Sequence, residues 1–125
     1  MGEGMTLDTY NAYCASLAHT THVVQWGGSH VWKVGGKVFA IASDRGDDGF
    51  RVSFKVSDLA FDILKEQPGC KGAPHLASRG MKWIQRYTAE AMSDEALKDY
   101  LSESYRLVSL GLTKKLQKEL GLNQD

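Results

Sequence analysis

Only two cysteines and two prolines occur in 125 residues, and no stretch of the chain is strongly apolar. Cys14 and Cys70 lie far apart without CxxC spacing, so neither a disulfide framework nor a cysteine-based metal site is expected, and both are read as free thiols. A hydrophobic fraction of 42% and a charged fraction of 24% exclude a disordered or low-complexity chain. The apolar runs, such as Val38 to Ala42, fall far short of the roughly 18 residues of a membrane-spanning helix, and no membrane partner is expected. Met1 to Met5 has neither the basic nor the apolar segment of a secretory signal, so cytoplasmic residence is the expectation. A formal net charge of zero removes any global attraction to nucleic acid. A polyanion site would have to come from local segregation of charge.

What is present is enough for one core. The length fits a single domain over residues 6–122, with a flexible extension at 1–5 and a tail at 123–125. Thr6 can cap a first helix whose Leu7, Tyr10, Cys14 and Leu17 recur at helical spacing, ending near Ala18. Three β-rich runs follow, His22 to Trp26, Ser29 to Val34 and Lys37 to Ser43, separated by Gly27-Gly28 and Gly35-Gly36. Two glycines between such runs suit a two-residue hairpin turn, whose central residues need positive φ. If Gly35 and Gly36 form that turn, Trp32 opposes Phe39 and His30 opposes Ile41, and Trp32, Phe39 and Ile41 build core. Gly46 to Gly49 marks a polar turn before Phe50 to Lys55, in which Phe50, Val52 and Phe54 alternate with Arg51, Ser53 and Lys55. Ser57 caps a short helix with Ala60, Ile63 and Leu64 facing inward, stopped by Pro68-Gly69.

Cys70 to Gly80 reads as a loop, leading into a strand from Met81 to Tyr87. Ser93 caps a helix whose buried stripe is Leu97, Leu101, Tyr105 and Val108. Gly111 interrupts it, and Leu112, Leu116 and Leu120 continue the helical spacing to Gly121. The order has no alternating βαβ units. It predicts an α+β fold, a twisted antiparallel sheet of about five strands packed against N- and C-terminal helices.

No arrangement of side chains spells out catalysis. His19 and His22 are three apart, and His30 and His75 are the residues that could join them on a metal, but no ligand-rich motif surrounds them and solvated histidines suffice. Cys70 and His75 lack the local signature of a nucleophile and its base. Neither glycine pair precedes a helix that could hold a phosphate. Asp44, Asp47 and Asp48 lack the alternating oxygen spacing of a calcium loop and sit beside Arg45. The expectation is a non-enzymatic protein with no catalytic residue, cofactor or metal.

The charge map is more informative. The strand candidates carry Lys33, Lys37, Arg51, Lys55, Lys82 and Arg86 and no Asp or Glu, while the acids fall in loops and helices, notably Asp58, Asp62 and Glu66 on one helix and Asp94, Glu95, Asp99 and Glu103 on another. Alternation places Lys33, Arg51 and Lys55 on the solvent side of the sheet, and Lys82 and Arg86 are expected to join them. Such a face can contact phosphates, with Trp26 at a hairpin tip available for stacking. The plainer reading is a solvated basic face that discourages edge-to-edge pairing.

Val31-Trp32-Lys33-Val34-Gly35-Gly36-Lys37-Val38-Phe39-Ala40 resembles the central hairpin of the MmcQ/YjbR family. Further matches are Val52-Ser53-Phe54-Lys55 before a helix, Lys82-Trp83-Ile84, and Ser104-Tyr105-Arg106-Leu107-Val108. The resemblance implies a CyaY-like, frataxin-like α+β fold and a proposed DNA-binding role through two wing-like hairpins, with Lys37, Lys55 and Lys82 at motif-matching positions. It supplies no catalytic residues. The expected partner is double-stranded DNA, held through Lys33, Lys37, Arg51, Lys55, Lys82, Arg86 and Trp26 by a monomer or weak homodimer. The alternative is a protein-interaction adaptor that docks its partner on Trp26, Leu112 and Leu116.

Overall fold

The computed structural model describes residues 5–44 and 49–124. The elements run α1 (Leu7–Ser16), β1 (Thr20–Gln25), β2 (Ser29–Val34), β3 (Lys37–Asp44), β4 (Phe50–Lys55), α2 (Asp58–Leu64), β5 (Cys70–Gly72), β6 (Trp83–Arg86), α3 (Asp94–Leu110) and α4 (Lys114–Leu120). The strands form one six-stranded antiparallel sheet in the order β1-β2-β3-β4-β6-β5. The α+β architecture is as expected, with one strand more than the sequence suggested. That strand, Cys70–Gly72, is three residues long, too short for period-two alternation to register.

Each helix begins on a hydroxyl that its sequence supplies. Thr6, Ser57, Ser93 and Thr113 accept from the amides of Thr9, Ala60, Ala96 and Leu116, satisfying donors the helix leaves unpaired. Gly111 does end α3, and Gly121 closes α4 in the left-handed conformation. The helices pack on one face of the sheet, where Tyr10, Phe39, Val52, Phe54, Ile84, Leu97 and Leu101 are fully buried. Met5, assigned by sequence to the flexible extension, is buried in this core. The remainder of that extension and the turn around Asp47 and Asp48 lie outside the described residues. Ile63, expected to face inward, is 59% exposed, so α2 seats only Leu64 fully, with Ala60 and Phe61 packed beside it.

Gly35 and Gly36 make the expected two-residue turn, both at positive φ, with Val34 opposite Lys37. Beyond the turn the register departs from the one that alternation predicts. Lys33 pairs with Val38 and Trp32 with Ala40, so Phe39 is the extra residue of a β-bulge. Ala40 and Ala42, opposite Phe54 and Val52, therefore line the core, and Ile41, opposite Ser53, turns to the other face. Phe39 stays buried, edge-on to Tyr105. The bulge is held from α3. The buried Ser104 hydroxyl donates to the Phe39 carbonyl at 2.6 Å and accepts from the Lys55 amide at 2.9 Å, bridging β3 and β4 where the irregular strand would leave backbone groups unpaired.

Both the bulge and the turn can be tested by substitution. Ser104→Ala removes a buried partner from both strands and should cost about 1–3 kcal/mol in a urea titration. Gly35 has φ +58, and a Cβ there would meet Leu112 Cδ1 at 2.6 Å, whereas one on Gly36 meets nothing within 4 Å. Gly36→Ala should lose about 1–2 kcal/mol from its left-handed backbone alone. Gly35→Ala should lose about 1–3 kcal/mol more from overpacking, and equal losses at the two positions would contradict the packing of the hairpin turn against Leu112.

Candidate nucleic-acid interface

The second face of the sheet carries the side chains that alternate with the core. Across the register Gln25 pairs with Ser29 and Ser43 with Arg51, the middle row holds Val23, Val31, Ile41, Ser53 and Gln85, and beyond it Thr21, Lys33 and Val38 pair in turn while Lys55 pairs with Trp83. Val31 is fully buried and Trp83 is 4% exposed, so this face is not a flat solvated surface. Its cover comes from two connections. The β1–β2 turn is a three-residue loop, Trp26-Gly27-Gly28, rather than the two-residue turn expected, because Gln25 pairs with Ser29. Trp26 thereby enters the loop at φ 53, 64% exposed. The β5–β6 connection brings Pro74, His75, Leu76, Arg79 and Met81 to the opposite side.

Between them runs a groove of two joined cavities that share Trp26, Ile41 and Leu76 in their walls. One, of about 440 Å³, is mostly apolar, formed with Val38, Met81, Trp83 and the α3 residues Leu107 and Val108, with Lys37 and Lys55 at its wall. The other, of about 550 Å³, is more polar, with Ser29, Ser43, Arg51, Ser53, His75, Arg79 and Gln85 in its walls beside Ala73 and Pro74. Among the described residues no Asp or Glu lines either cavity, while Lys37, Arg51, Lys55 and Arg79 do. Trp26 and His75, on facing connections, are both non-glycine residues in the left-handed region, a conformation that bulky residues seldom adopt.

The sequence-derived residues divide. Lys33, Arg51 and Lys55 share the open face, with Lys37 at the hairpin end and Trp26 on the covering loop. Lys82 and Arg86 do not join them. Trp83 shares the row of Lys55, so its even-numbered neighbours point to the helical side. Lys82 accordingly lies over the Phe61 ring of α2, its Nζ 4.9 Å from the centroid. Arg86 is 2% exposed, paired across the sheet with Val52 and Cys70, and its Nε and Nη2 have no hydrogen-bond partner among the described residues. Burial lowers its pKa, opposed by the nearby charges of Asp94, Cys70 and Glu90. Arg79, His75 and Leu76 escape a sequence reading of this face, because a segment rich in Gly, Ala and Ser carries no periodicity to say which side of the sheet it crosses.

The other candidates separate as well. Cys70 shares the helical face with Arg86, whereas His75 lines the groove on the opposite face, so the two do not meet. Cys14 is buried, and desolvation pushes its thiol up to about 12, which leaves it un-ionised and unreactive at neutral pH. His22 and His30 lie on the paired strands β1 and β2, as their sequence context suggests. Their ring nitrogens His22 Nε2 and His30 Nδ1 stand 3.0 Å apart, and the His22 ring stacks on Trp32 at 4.7 Å, with the Trp32 indole donating to Asn11 Oδ1. No group of three or more His, Cys, Asp and Glu gathers among the described residues.

An α+β sheet with helices on one face and a cation-lined groove on the other defines the class. The YjbR family model matches residues 15–107, and the chain belongs to the YjbR family. It is 34% identical over 92 residues to the uncharacterized protein YbdF of Escherichia coli O157:H7, covering 72% of each chain. It is also similar to the crystal structure of Deinococcus radiodurans protein DR2400, a DUF419 domain, with a TM-score of 0.82 and 27% identity over 98% of this chain and 91% of that one. No helix among the described residues is long and apolar enough to cross a membrane.

The histidine pair sets a pH dependence. Desolvation first and the charge of His30 second lower the His22 pKa from its ordinary 6.5. The fold thus favours neutral His22, and this contribution to stability is full above pH 6.5 and is lost as the pH falls below it. The urea midpoint should fall between about pH 7.5 and pH 5.5 by less in His22→Gln than in the native chain; identical drops would contradict the pairing.

Proposed function

We propose that the chain is a non-enzymatic DNA-binding module that uses the open face of its sheet. The observation that carries this reading is the lining of the groove, in which Lys37, Arg51, Lys55 and Arg79 occur and none of the described Asp or Glu residues does. In a chain of zero net charge, with 15 basic and 15 acidic residues, such segregation creates a local positive potential that the whole molecule lacks. Lysine and arginine at a concave surface suit phosphates, whose neutralisation releases counterions and makes binding depend on salt. The hairpin turns at the two ends of β2, Trp26 to Gly28 and Gly35-Gly36, flank this face as the two wings of the family proposal would. Lys82 and Arg86 drop out of the binding set on position, and Arg79 enters it.

The adaptor reading has less support. Leu112, one of its proposed docking residues, is buried and packs against the Gly35 turn. Trp26 remains exposed, but it belongs to the same groove as the cations.

Fluorescence anisotropy with labelled DNA across a salt series tests the reading. Affinity should fall steeply with salt. A Lys37→Ala, Lys55→Ala, Arg79→Ala variant should bind more weakly, with a logarithmic salt slope shallower by about 0.7–0.9 for each phosphate it no longer neutralises. Lys82→Ala should bind like the native chain. Absence of binding at low salt, or equal weakening in the two variants, would rule the open face out.

A further inference from the structure

We infer that the strand this groove accepts is unpaired, with a base lodged in the apolar cavity against Trp26 while its phosphates rest on the flanking cations. The inference rests on the DNA-binding reading and goes beyond it, since phosphate contacts alone do not distinguish a duplex from a single strand.

A duplex keeps its bases stacked inside and offers a protein its backbone and groove edges, so an apolar recess gains nothing from it unless a base leaves the stack. Here the recess is the more apolar part of the site. The cavity of about 440 Å³ is walled by Trp26, Val38, Met81, Trp83 and Leu107, and its only charged lining residues among those described are Lys37 and Lys55. Lys55 and Trp83 are direct register partners on the open face, so a cation and an aromatic ring stand side by side there. The polar cavity continues from it past Trp26 and Ile41 to Arg51 and Arg79, giving a chain of phosphates somewhere to run. Aromatic side chains beside a cationic track are the arrangement by which single strands are held without sequence preference, because every base has a face to stack. Trp26 supplies that face in an accessible form. It is 64% exposed, held on a short loop in the left-handed conformation, and it borders both cavities. Were the loop only a turn, glycine would serve at this position without the backbone cost that a side chain bears at positive φ.

The test compares labelled oligothymidylate of twelve nucleotides with a hairpin duplex of matched length, at one low salt concentration, for the native chain, Trp26→Ala and Trp26→Phe. Because Trp26 lies outside the core, all three should fold, which near-ultraviolet circular dichroism checks. The native chain should prefer the single strand at least tenfold. Trp26→Ala should weaken single-strand binding by between about 5-fold and 100-fold and leave the duplex affinity within about twofold, and Trp26→Phe should restore most of the affinity. Duplex binding as tight as single-strand binding, or a Trp26→Ala effect that is absent or the same on both, overturns this inference while leaving DNA binding standing. Absence of binding to every oligonucleotide overturns both.

Discussion

The geometry of the open face depends on one irregularity in the sheet, the bulge at Phe39. A bulge interrupts a ladder and leaves backbone groups to be satisfied elsewhere, so it persists only where something supplies the missing partner. Ser104 supplies it, inserting a hydroxyl between the Phe39 carbonyl and the Lys55 amide from the middle of α3. The consequence is felt along β3. With Phe39 absorbed into the bulge, two alanines face the helices and Ile41 faces the groove, where it joins the two cavities. The small side chains of Ala40 and Ala42 leave room on the helical face for Tyr10, Phe54 and Leu101 to pack. The same hydroxyl thus ties the longest helix to the sheet and sets which residues the opposite face presents.

The two faces divide the chemistry of the chain. Carboxylates line α3, where Glu103 pairs with Arg106 at the surface, while among the strands β3 ends on Asp44, beyond the Lys37 to Ser43 run that the sequence suggests. The open face carries cations and two tryptophans, and nothing acidic among the described residues that line its groove. Arg86 lies on the other side of this division: a guanidinium placed by alternation on the core side is buried among Val52, Cys70 and the start of α3 instead of reaching solvent. Its charge belongs to the packing of β6 and not to the groove.

Much of the fold is legible in the sequence. The N-cap hydroxyls of Thr6, Ser57 and Ser93, the Gly35-Gly36 turn and the Phe50-Val52-Phe54 alternation each rest on local chemistry, and local chemistry is what a sequence displays; the fourth cap, Thr113, rests on the same chemistry but comes from the structure. The residues whose placement differs do so for nonlocal reasons. Alternation alone puts Ile41 in the core, but the bulge that turns it outward is imposed by Ser104, 65 residues away in sequence from the carbonyl it holds. Basic character alone puts Lys82 and Arg86 on the open face, although alternation from Trp83 separates them from Lys55 once the register of β6 is known. Trp26 reads from sequence as an exposed tip residue, but its place over the sheet does not, since a loop's path across a face leaves no periodic trace. The same holds for His75 and Arg79, which a stretch without pattern brings over the groove.

The three tryptophans provide the most direct test, because they sample both sides of the sheet. Trp26 and Trp83 line the groove, and Trp32 lies on the helical face with its indole bound to Asn11. Their indole N–H resonances should be resolved in a nitrogen–proton correlation spectrum and followed as an oligonucleotide is added. The account predicts that the Trp26 and Trp83 resonances move with a common affinity while that of Trp32 stays in place. Movement confined to Trp32, or none in any of the three at saturating oligonucleotide, would contradict the assignment of the open face as the binding surface.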